Sequence, residues 1–547
     1  MTDPTSVSAP LLSVRDLGVQ FDTLSGPLQA VKGVSFDVAA GETVAVVGES
    51  GSGKSTLASA INRLLAANGR IVAGSIALRG RELTTLAERE MRSLRGAEIS
   101  LVPQDPMSNL DPVQTIGSQV LEALEVHGRG HGEQGRRRAV ELLDAVGIPD
   151  PAGRFGQYPH EFSGGMRQRV LIAMALACEP ALLIADEPTS ALDVTVQRIV
   201  LDQLGELTQR LGTAVILITH DLALAAERAD RVLVMYHGEV VETGAAEEIL
   251  HNPGHEYAKR LVAAVPSLIT TPMVPPAPEE ERPETIARLE GVGRRYRIRG
   301  SRSDDFWAAR DVSFEIPRGR TVSIVGESGS GKTTTARMLL GLETPTEGRI
   351  VIGDRDLANL TRTEAFGMRR RVQPVFQNPY ASLDPRYTIE RAIAEPLRVH
   401  HIGDAGSQAQ RVASLLDQVA LPPDVAQRFP HELSGGQQQR VAIARALALE
   451  PDLVVLDEAV SALDVLVQSQ ILELLVGLQE RLGLSYLFIS HDLAVVRMIS
   501  HEVHVMQQGL IVESGTPEKI FADPEQDYTR ELIAAIPGHH QVAYRVG

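Results

Sequence analysis

The sequence predicts two tandem α/β domains. Three observations carry this: a glycine-rich loop between an apolar strand and a helix, later strands written as nearly continuous apolar runs, and the return of both features in a second copy. Thr43–Val47 leads into the first glycine-rich loop and Thr321–Val325 into the second. Ala181–Ala185 and Ala214–Thr219 are the apolar runs expected of parallel strands covered on both faces. Ahead of each loop the period is two: Val34, Phe36 and Val38 alternate with Ser35 and Asp37, as Val312, Phe314 and Ile316 do with Ser313 and Glu315. Patterns such as Val170–Cys178 supply the helices between strands.

The repetition is ordered along the whole chain. GESGSGKST at Gly48–Thr56 returns as GESGSGKTT at Gly326–Thr334, and QDPMSNLDP at Gln104–Pro112 as QNPYASLDP at Gln377–Pro385. YPHEFSGGMRQR, ending at Arg169, returns as FPHELSGGQQQR, ending at Arg440. SALDV at Ser190 recurs at Ser461, and ITHDLA at Ile218 recurs as ISHDLA at Ile489. Five matches in one order imply duplication and fusion. Between the copies, residues 266–285 hold six prolines and the run Glu279-Glu280-Glu281, a composition that predicts a semi-rigid extended linker. At about 3.1 Å per residue it would reach roughly 60 Å; the competing reading is an ordered loop packed on one domain.

Composition excludes several classes. The 53 basic and 70 acidic residues give a net charge of −17, a field that does not favour nucleic acid. One cysteine, Cys178, leaves no means of building a zinc or iron–sulfur site from this chain alone, and its apolar surroundings assign it to helix packing. The first ten residues lack a basic and apolar leader pattern, and no apolar run reaches the roughly 18 residues of a membrane span. The best candidate, 170–185, is broken by Glu179-Pro180. A soluble, cytosolic chain is expected.

The glycine-rich loops have the spacing of a phosphate loop. Gly48, Ser50, Gly51, Ser52, Gly53, Lys54, Ser55 and Thr56 form one set, and Gly326, Ser328, Gly329, Ser330, Gly331, Lys332, Thr333 and Thr334 the other. Glycines let backbone N–H groups turn toward phosphate oxygens, and the following helix start adds partial positive charge. Lys54 and Lys332 would reach the β and γ phosphates, and Ser55 and Thr333 would ligate Mg²⁺. LLIADEP and LVVLDEA end apolar strands in two carboxylates beside those loops. Asp186 and Asp457 can hold the metal, while Glu187 and Glu458 can take a proton from attacking water. His220 and His491 follow buried strands at the same sheet edge and are read as γ-phosphate contacts. His160 and His431 are read as packing or capping residues.

This ordered set of phosphate loop, glutamine loop, SGG signature, DE pair, SALD and histidine resembles the nucleotide-binding subunits of ABC transporters. The resemblance covers nearly the whole chain. It implies two ABC-type P-loop NTPase domains, each with a mixed-sheet core, an antiparallel β subdomain and a helical subdomain. It also implies two ATP molecules between head-to-tail cassettes. One site would use Lys54, Ser55, Gln104, Asp186, Glu187 and His220 with Ser434, Gly435, Gly436 and Gln437; the other would use Lys332, Thr333, Gln377, Asp457, Glu458 and His491 with Ser163, Gly164 and Gly165. Gln104 and Gln377 are expected as both metal and catalytic contacts, and Phe21 and Tyr296 as adenine-stacking rings for which core packing is the alternative. The physics agrees: an SGG triplet opening a helix is a second anion site, so closure would depend on the γ-phosphate. The first signature departs from the family's LSGGQ at Phe162 and Met166, and the second DE pair is followed by Ala459-Val460 where the first has Pro188-Thr189. Neither departure removes an acid, base or metal ligand.

Two finer features resemble the peptide and nickel importer subfamily: the glutamine loops, and the tails HNPGHEYAKRLVAAVP from His251 and DPEQDYTRELIAAIP from Asp523. The domain order expected is a flexible 1–10, a first cassette 11–250, its tail 251–265, the linker 266–285, a second cassette 286–522 and its tail 523–547. The resemblance implies an ATPase powering import of dipeptides or oligopeptides through two separate transmembrane permeases. An extracytoplasmic binding protein would deliver cargo, and this chain would sit peripherally on the cytoplasmic face of the inner membrane. Import of nickel or a glutathione-like peptide is the near alternative. A ribosome-acting twin-cassette factor is the distant one, disfavoured by the short proline-rich linker, and a non-hydrolysing scaffold conflicts with intact Glu187 and Glu458.

Overall fold

Successive residues of each central strand belong to different cores. In the strand Leu182–Asp186, Leu182 and Ile184 join one hydrophobic cluster while Leu183 and Ala185 join another. In Ala214–Thr219, Ala214, Ile216 and Ile218 face the first cluster and Val215 and Leu217 the second. Burial on both faces is why these strands read as unbroken apolar runs. The second copy repeats the division, with Leu453 and Val455 in one cluster and Val454 and Leu456 in the other.

The computed structural model describes residues 9–23, 26–189, 192–269, 271–274, 283–297, 305–461 and 463–538. The chain divides into two units, Met1–Val265 and Pro266–Gly547. In the first, a six-stranded sheet runs in the order 239–245, 231–236, 43–47, 214–219, 182–186, 99–102. All neighbours are parallel except the first pair, which is antiparallel. A separate antiparallel sheet is built from Gly26–Val38, Leu12–Thr23, Gly69–Leu78 and Arg81–Glu82. The second unit has the same two sheets with the same strand order. The mixed core sheet and the antiparallel subdomain are both present.

One cluster in each unit joins the antiparallel sheet to the core sheet and the phosphate-loop helix, as Val14, Leu57, Ile61 and Ile184 show. The other packs a helical layer on the opposite face: Ile116–Val126, Gly132–Ala145 and Gly164–Leu176 in the first unit, Ile389–Val399, Ala405–Gln418 and Gly435–Leu447 in the second. Cys178 is buried and free, as packing predicted.

The linker differs from the extended expectation. Pro266–Leu268 forms a 3₁₀ turn, Ser267 and Val274 are buried, and the Met273 amide donates to the Met498 carbonyl at 2.8 Å. The Arg497 guanidinium donates to the carbonyls of Ile269 at 2.7 Å and Ser267 at 3.4 Å. The packed-loop reading therefore holds for residues 266–269 and 271–274, because apolar Ile269, Met273 and Val274 give this stretch a face to bury. Residues 275–282, with the glutamate run, lie outside the described residues, as do 1–8 and 539–547 of the expected termini.

Candidate active site

Both phosphate loops turn from a core strand directly into a helix, Lys54–Ile61 and Lys332–Leu339. Gly53 and Gly331 cap these helices at φ 102° and 106°, and a Cβ there would meet the carbonyl oxygens of Ala30 at 2.5 Å and Ala308 at 2.2 Å. Only glycine tolerates both the conformation and the approach. The lysines are buried against their own loops: Lys54 Nζ donates to the carbonyls of Gly48 at 2.7 Å and Glu49 at 2.9 Å, and Lys332 Nζ to Gly326 at 2.7 Å and Glu327 at 2.8 Å.

The DE pairs meet these loops. Ser55 Oγ donates to Asp186 Oδ1 at 3.1 Å, and Thr333 Oγ1 to Asp457 Oδ1 at 3.2 Å. Gln104 Nε2 donates to Glu187 Oε2 at 2.8 Å, and Gln377 Nε2 to Glu458 Oε2 at 2.6 Å. The remaining oxygens of the two glutamates face imidazoles, His220 Nδ1 at 3.4 Å and His491 Nδ1 at 3.7 Å. Two separate elements, the glutamine loop and the segment carrying the histidine, thus converge on one carboxylate in each unit. Glu187 and Glu458 also adopt positive φ, 44° and 49°, and their amides donate to the carbonyls of Ile218 and Ile489 at 3.0 Å. A non-glycine residue held in that region carries strain of the order of 1–3 kcal/mol, and the surrounding bonds maintain it.

Electrostatics separate the two acids of each pair. Burial pushes the Asp186 and Asp457 carboxyls up, reinforced by the adjoining glutamate and opposed by the Ser55 and Thr333 hydroxyls. Burial acts the same way on Glu187 and Glu458, but the hydrogen bond and charge of His220 and His491, with the nearby lysine, outweigh it and hold both carboxyls below their usual value. Burial in turn depresses the two histidines, and the glutamates outweigh it, so both imidazoles are raised. In each pair the glutamate thus favours its ionised form and the imidazole its charged form more than either would alone.

The loops fit a nucleotide phosphate chain. Ser52 Oγ and Ser330 Oγ are buried and, among the described residues, lack a protein hydrogen-bond partner, an arrangement that an anionic oxygen would satisfy. A hydroxyl paired with one carboxylate is an oxygen donor set suited to Mg²⁺, which binds through few protein ligands and completes its shell elsewhere. Gln104 and Gln377 point their amide nitrogens at the glutamates, leaving the carbonyl oxygen as the atom able to ligate a cation.

The signature residues are placed elsewhere in their units. Ser163 and Ser434 cap the helices beginning at Gly164 and Gly435, accepting from the amides of Met166 at 3.3 Å and Gln437 at 3.4 Å. A Cβ on Gly165 or Gly436 would meet Val196 or Val467 at 2.4 Å, so these glycines let the signature helix close on the helix after SALD. Ser190 lies outside the described residues. Phe21 is half-buried against the core and its ring covers Gly69, where a Cβ would come within 2.5 Å. Tyr296 is more exposed, with its hydroxyl bonded to Glu343 and Arg294 4.9 Å over its ring. His160 and His431 are exposed and stack on Tyr158 and Phe429 at the surface.

One contact was missed in the sequence. Tyr257 and Tyr528, in the tails, accept hydrogen bonds from the phosphate-loop amides of Glu49 at 2.8 Å and Glu327 at 3.0 Å. Their recurrence at one place in both tails was the available signal.

Residues 31–190 and 309–461 match the ABC transporter family, and residues 241–299 match the oligopeptide/dipeptide transporter C-terminal region. The glutathione import ATP-binding protein GsiA of Salmonella choleraesuis (strain SC-B67) is 46% identical over 97% of this chain and 90% of its own length. The protein of that name from Escherichia coli (strain K12) is 45% identical over 96% of this chain and 89% of its own.

Proposed function

The chain belongs to the ABC transporter family, and from that membership we propose that it is the ATP-hydrolysing subunit of a peptide importer, with both cassettes active. The observation that carries activity at both sites is the repeated cluster in which a glutamine, a histidine and a strained backbone hold one glutamate beside a phosphate loop.

At each site the loop amides, the lysine and the helix start bind the triphosphate and offset its charge. Water attacks the γ-phosphorus, its proton passes to Glu187 or Glu458, and the bond to the β-phosphate oxygen breaks with ADP keeping the electron pair. Gln104 and His220 hold the carboxylate oriented and ionised, as Gln377 and His491 do in the second unit. A magnesium ion held by Ser55 with Asp186, and by Thr333 with Asp457, would neutralise the phosphate oxygens. Phe21 and Tyr296 are assigned to adenine, and Ser163–Gly165 and Ser434–Gln437 to the γ-phosphate of the opposite site.

Transport requires membrane partners, since no helix among the described residues is long and apolar enough to cross a bilayer. Two transmembrane permeases fed by an extracytoplasmic binding protein, with this chain peripheral to them on the cytoplasmic face of the inner membrane, are the assembly we assign. In the second unit a cavity of about 720 Å³ opens between Gln377 and Asp457 on the core side and Val399 and Arg445 on the helical side. Exposed Phe376 and Val399 line it, and the first unit leaves Val126 exposed at the matching helix end. Apolar side chains presented beside the glutamine loop suit a permease contact that senses the γ-phosphate.

The relatives' names point to glutathione, a tripeptide, as the cargo class to test first. ATP-dependent uptake of glutathione, a dipeptide and a nickel chelate into vesicles holding the chain and its permeases should favour one of the two peptides and stop without the permeases. Uptake of the nickel chelate alone would overturn the peptide assignment, and co-purification with ribosomes in place of permeases would overturn the transport reading.

A further inference from the structure

The tail following each cassette reaches back to its phosphate loop at a single peptide unit. In the first unit that unit is Gly48–Glu49: its carbonyl accepts from Lys54 Nζ at 2.7 Å and its N–H donates to the Tyr257 hydroxyl at 2.8 Å. In the second it is Gly326–Glu327, bonded to Lys332 Nζ at 2.7 Å and to Tyr528 at 3.0 Å. A trans peptide is planar with its C=O and N–H on opposite edges, so lysine and tyrosine grip one rigid plate from two sides. Polarisation through the amide makes each bond strengthen the other.

The tails are built to hold the tyrosines there. Both oxygens of Glu242, in the edge strand Glu239–Ala245, accept the amides of Gly254 at 2.7 Å and His255 at 2.8 Å, just ahead of the helix Glu256–Ala263. Glu513, in the edge strand Leu510–Gly515, accepts those of Glu525 at 2.8 Å and Gln526 at 3.1 Å. Tyr257 is buried and stacks on Tyr236 with centroids 4.2 Å apart, and Tyr528 is buried as well. The loop's first glycine has no room to retreat on its other side: a Cβ on Gly48 would lie 2.2 Å from the Met235 carbonyl oxygen, and one on Gly326 2.1 Å from that of Met506.

We infer that Tyr257 and Tyr528 are positioning residues for nucleotide binding, setting the Gly–Glu peptide that holds the phosphate-binding lysine. The tail is then a working part of each ATP site, anchored through Glu242 or Glu513. This rests on the phosphate-loop reading above.

Tyr257→Phe and Tyr528→Phe keep the rings and remove only the hydroxyls. In the full chain, each should raise the KM for ATP and the Kd of a fluorescent ATP analogue at its own site by roughly two- to ten-fold, the range of one neutral hydrogen bond. The value of kcat should stay within about two-fold and the thermal midpoint unchanged. Glu242→Gln and Glu513→Gln, which loosen the anchor, should shift affinity in the same direction. Unchanged affinity in both phenylalanine variants, or a loss that merely follows a lowered thermal midpoint, overturns the positioning role. Wild-type binding that Lys54→Ala with Lys332→Ala does not reduce would instead remove the phosphate-loop reading on which it rests.

Discussion

The caps of the two signature helices differ by one hydrogen bond, while the contacts on the two buried glutamates match one for one. At the second signature Ser434 and Gln437 cap each other: the Gln437 amide donates to Ser434 Oγ at 3.4 Å, and the Ser434 amide donates to Gln437 Oε1 at 3.0 Å. At the first signature Met166 keeps only the amide half of that exchange, at 3.3 Å. The swap of Pro188-Thr189 for Ala459-Val460 is equally mild, since the turn bonds Leu192 to Thr189 and Leu463 to Val460 persist at 3.0 and 3.3 Å. By contrast, every contact on Glu187 has its counterpart on Glu458. Divergence between the copies has reached helix capping and left the contacts on the glutamates alone, which supports the proposal of two working sites.

The largest test of that equivalence is Glu187→Gln against Glu458→Gln. Each should lower turnover at its own site by roughly 10²–10⁴-fold while nucleotide still binds. Phosphate release with a parallel binding titration checks it, and unchanged turnover in both variants would remove the general-base assignment. Next, Lys54→Ala and Lys332→Ala should each reduce bound nucleotide from two per chain to one, read by equilibrium stoichiometry. Loss of both from either change would show that the sites do not bind separately.

A pH profile sharpens the comparison further. Each glutamate lies below its ordinary pKa, so its share of the ion pair is present above the usual glutamate value and lost as pH falls through the lowered one. Each imidazole is raised, so its share is complete below the usual histidine value and lost as pH rises through the raised one. The pair is therefore intact from the ordinary glutamate range up to the ordinary histidine range. The acid limb of kcat should lie below the glutamate value, and His220→Gln or His491→Gln should move the residual limb upward because only the nearby lysine then opposes burial. An unmoved limb would separate the histidine from the base.

The smallest expected effect tests the difference itself. Met166→Gln should complete the first capping box and stabilise that unit by about 0.5–1 kcal/mol, and Gln437→Met should cost the second about as much. Thermal midpoints should shift by roughly 1–4 °C in opposite directions. Shifts of the same sign would mean that residues around the cap, and not the glutamine, set its strength.

The linear sequence was enough to locate the strands that carry the chemistry, because burial on both faces leaves a run such as Ala214–Thr219 with no polar position, and the phosphate-loop spacing is a local property of one turn. It also named the acids and histidines, since each closes a strand of the same sheet edge. Only the tertiary structure decided which partner each glutamate oxygen takes, that residues 266–269 and 271–274 pack on the second unit, and that a tail tyrosine meets the loop some 200 residues earlier. Those contacts depend on where separate elements cross in space, and a crossing leaves no period or composition in any one segment to be read.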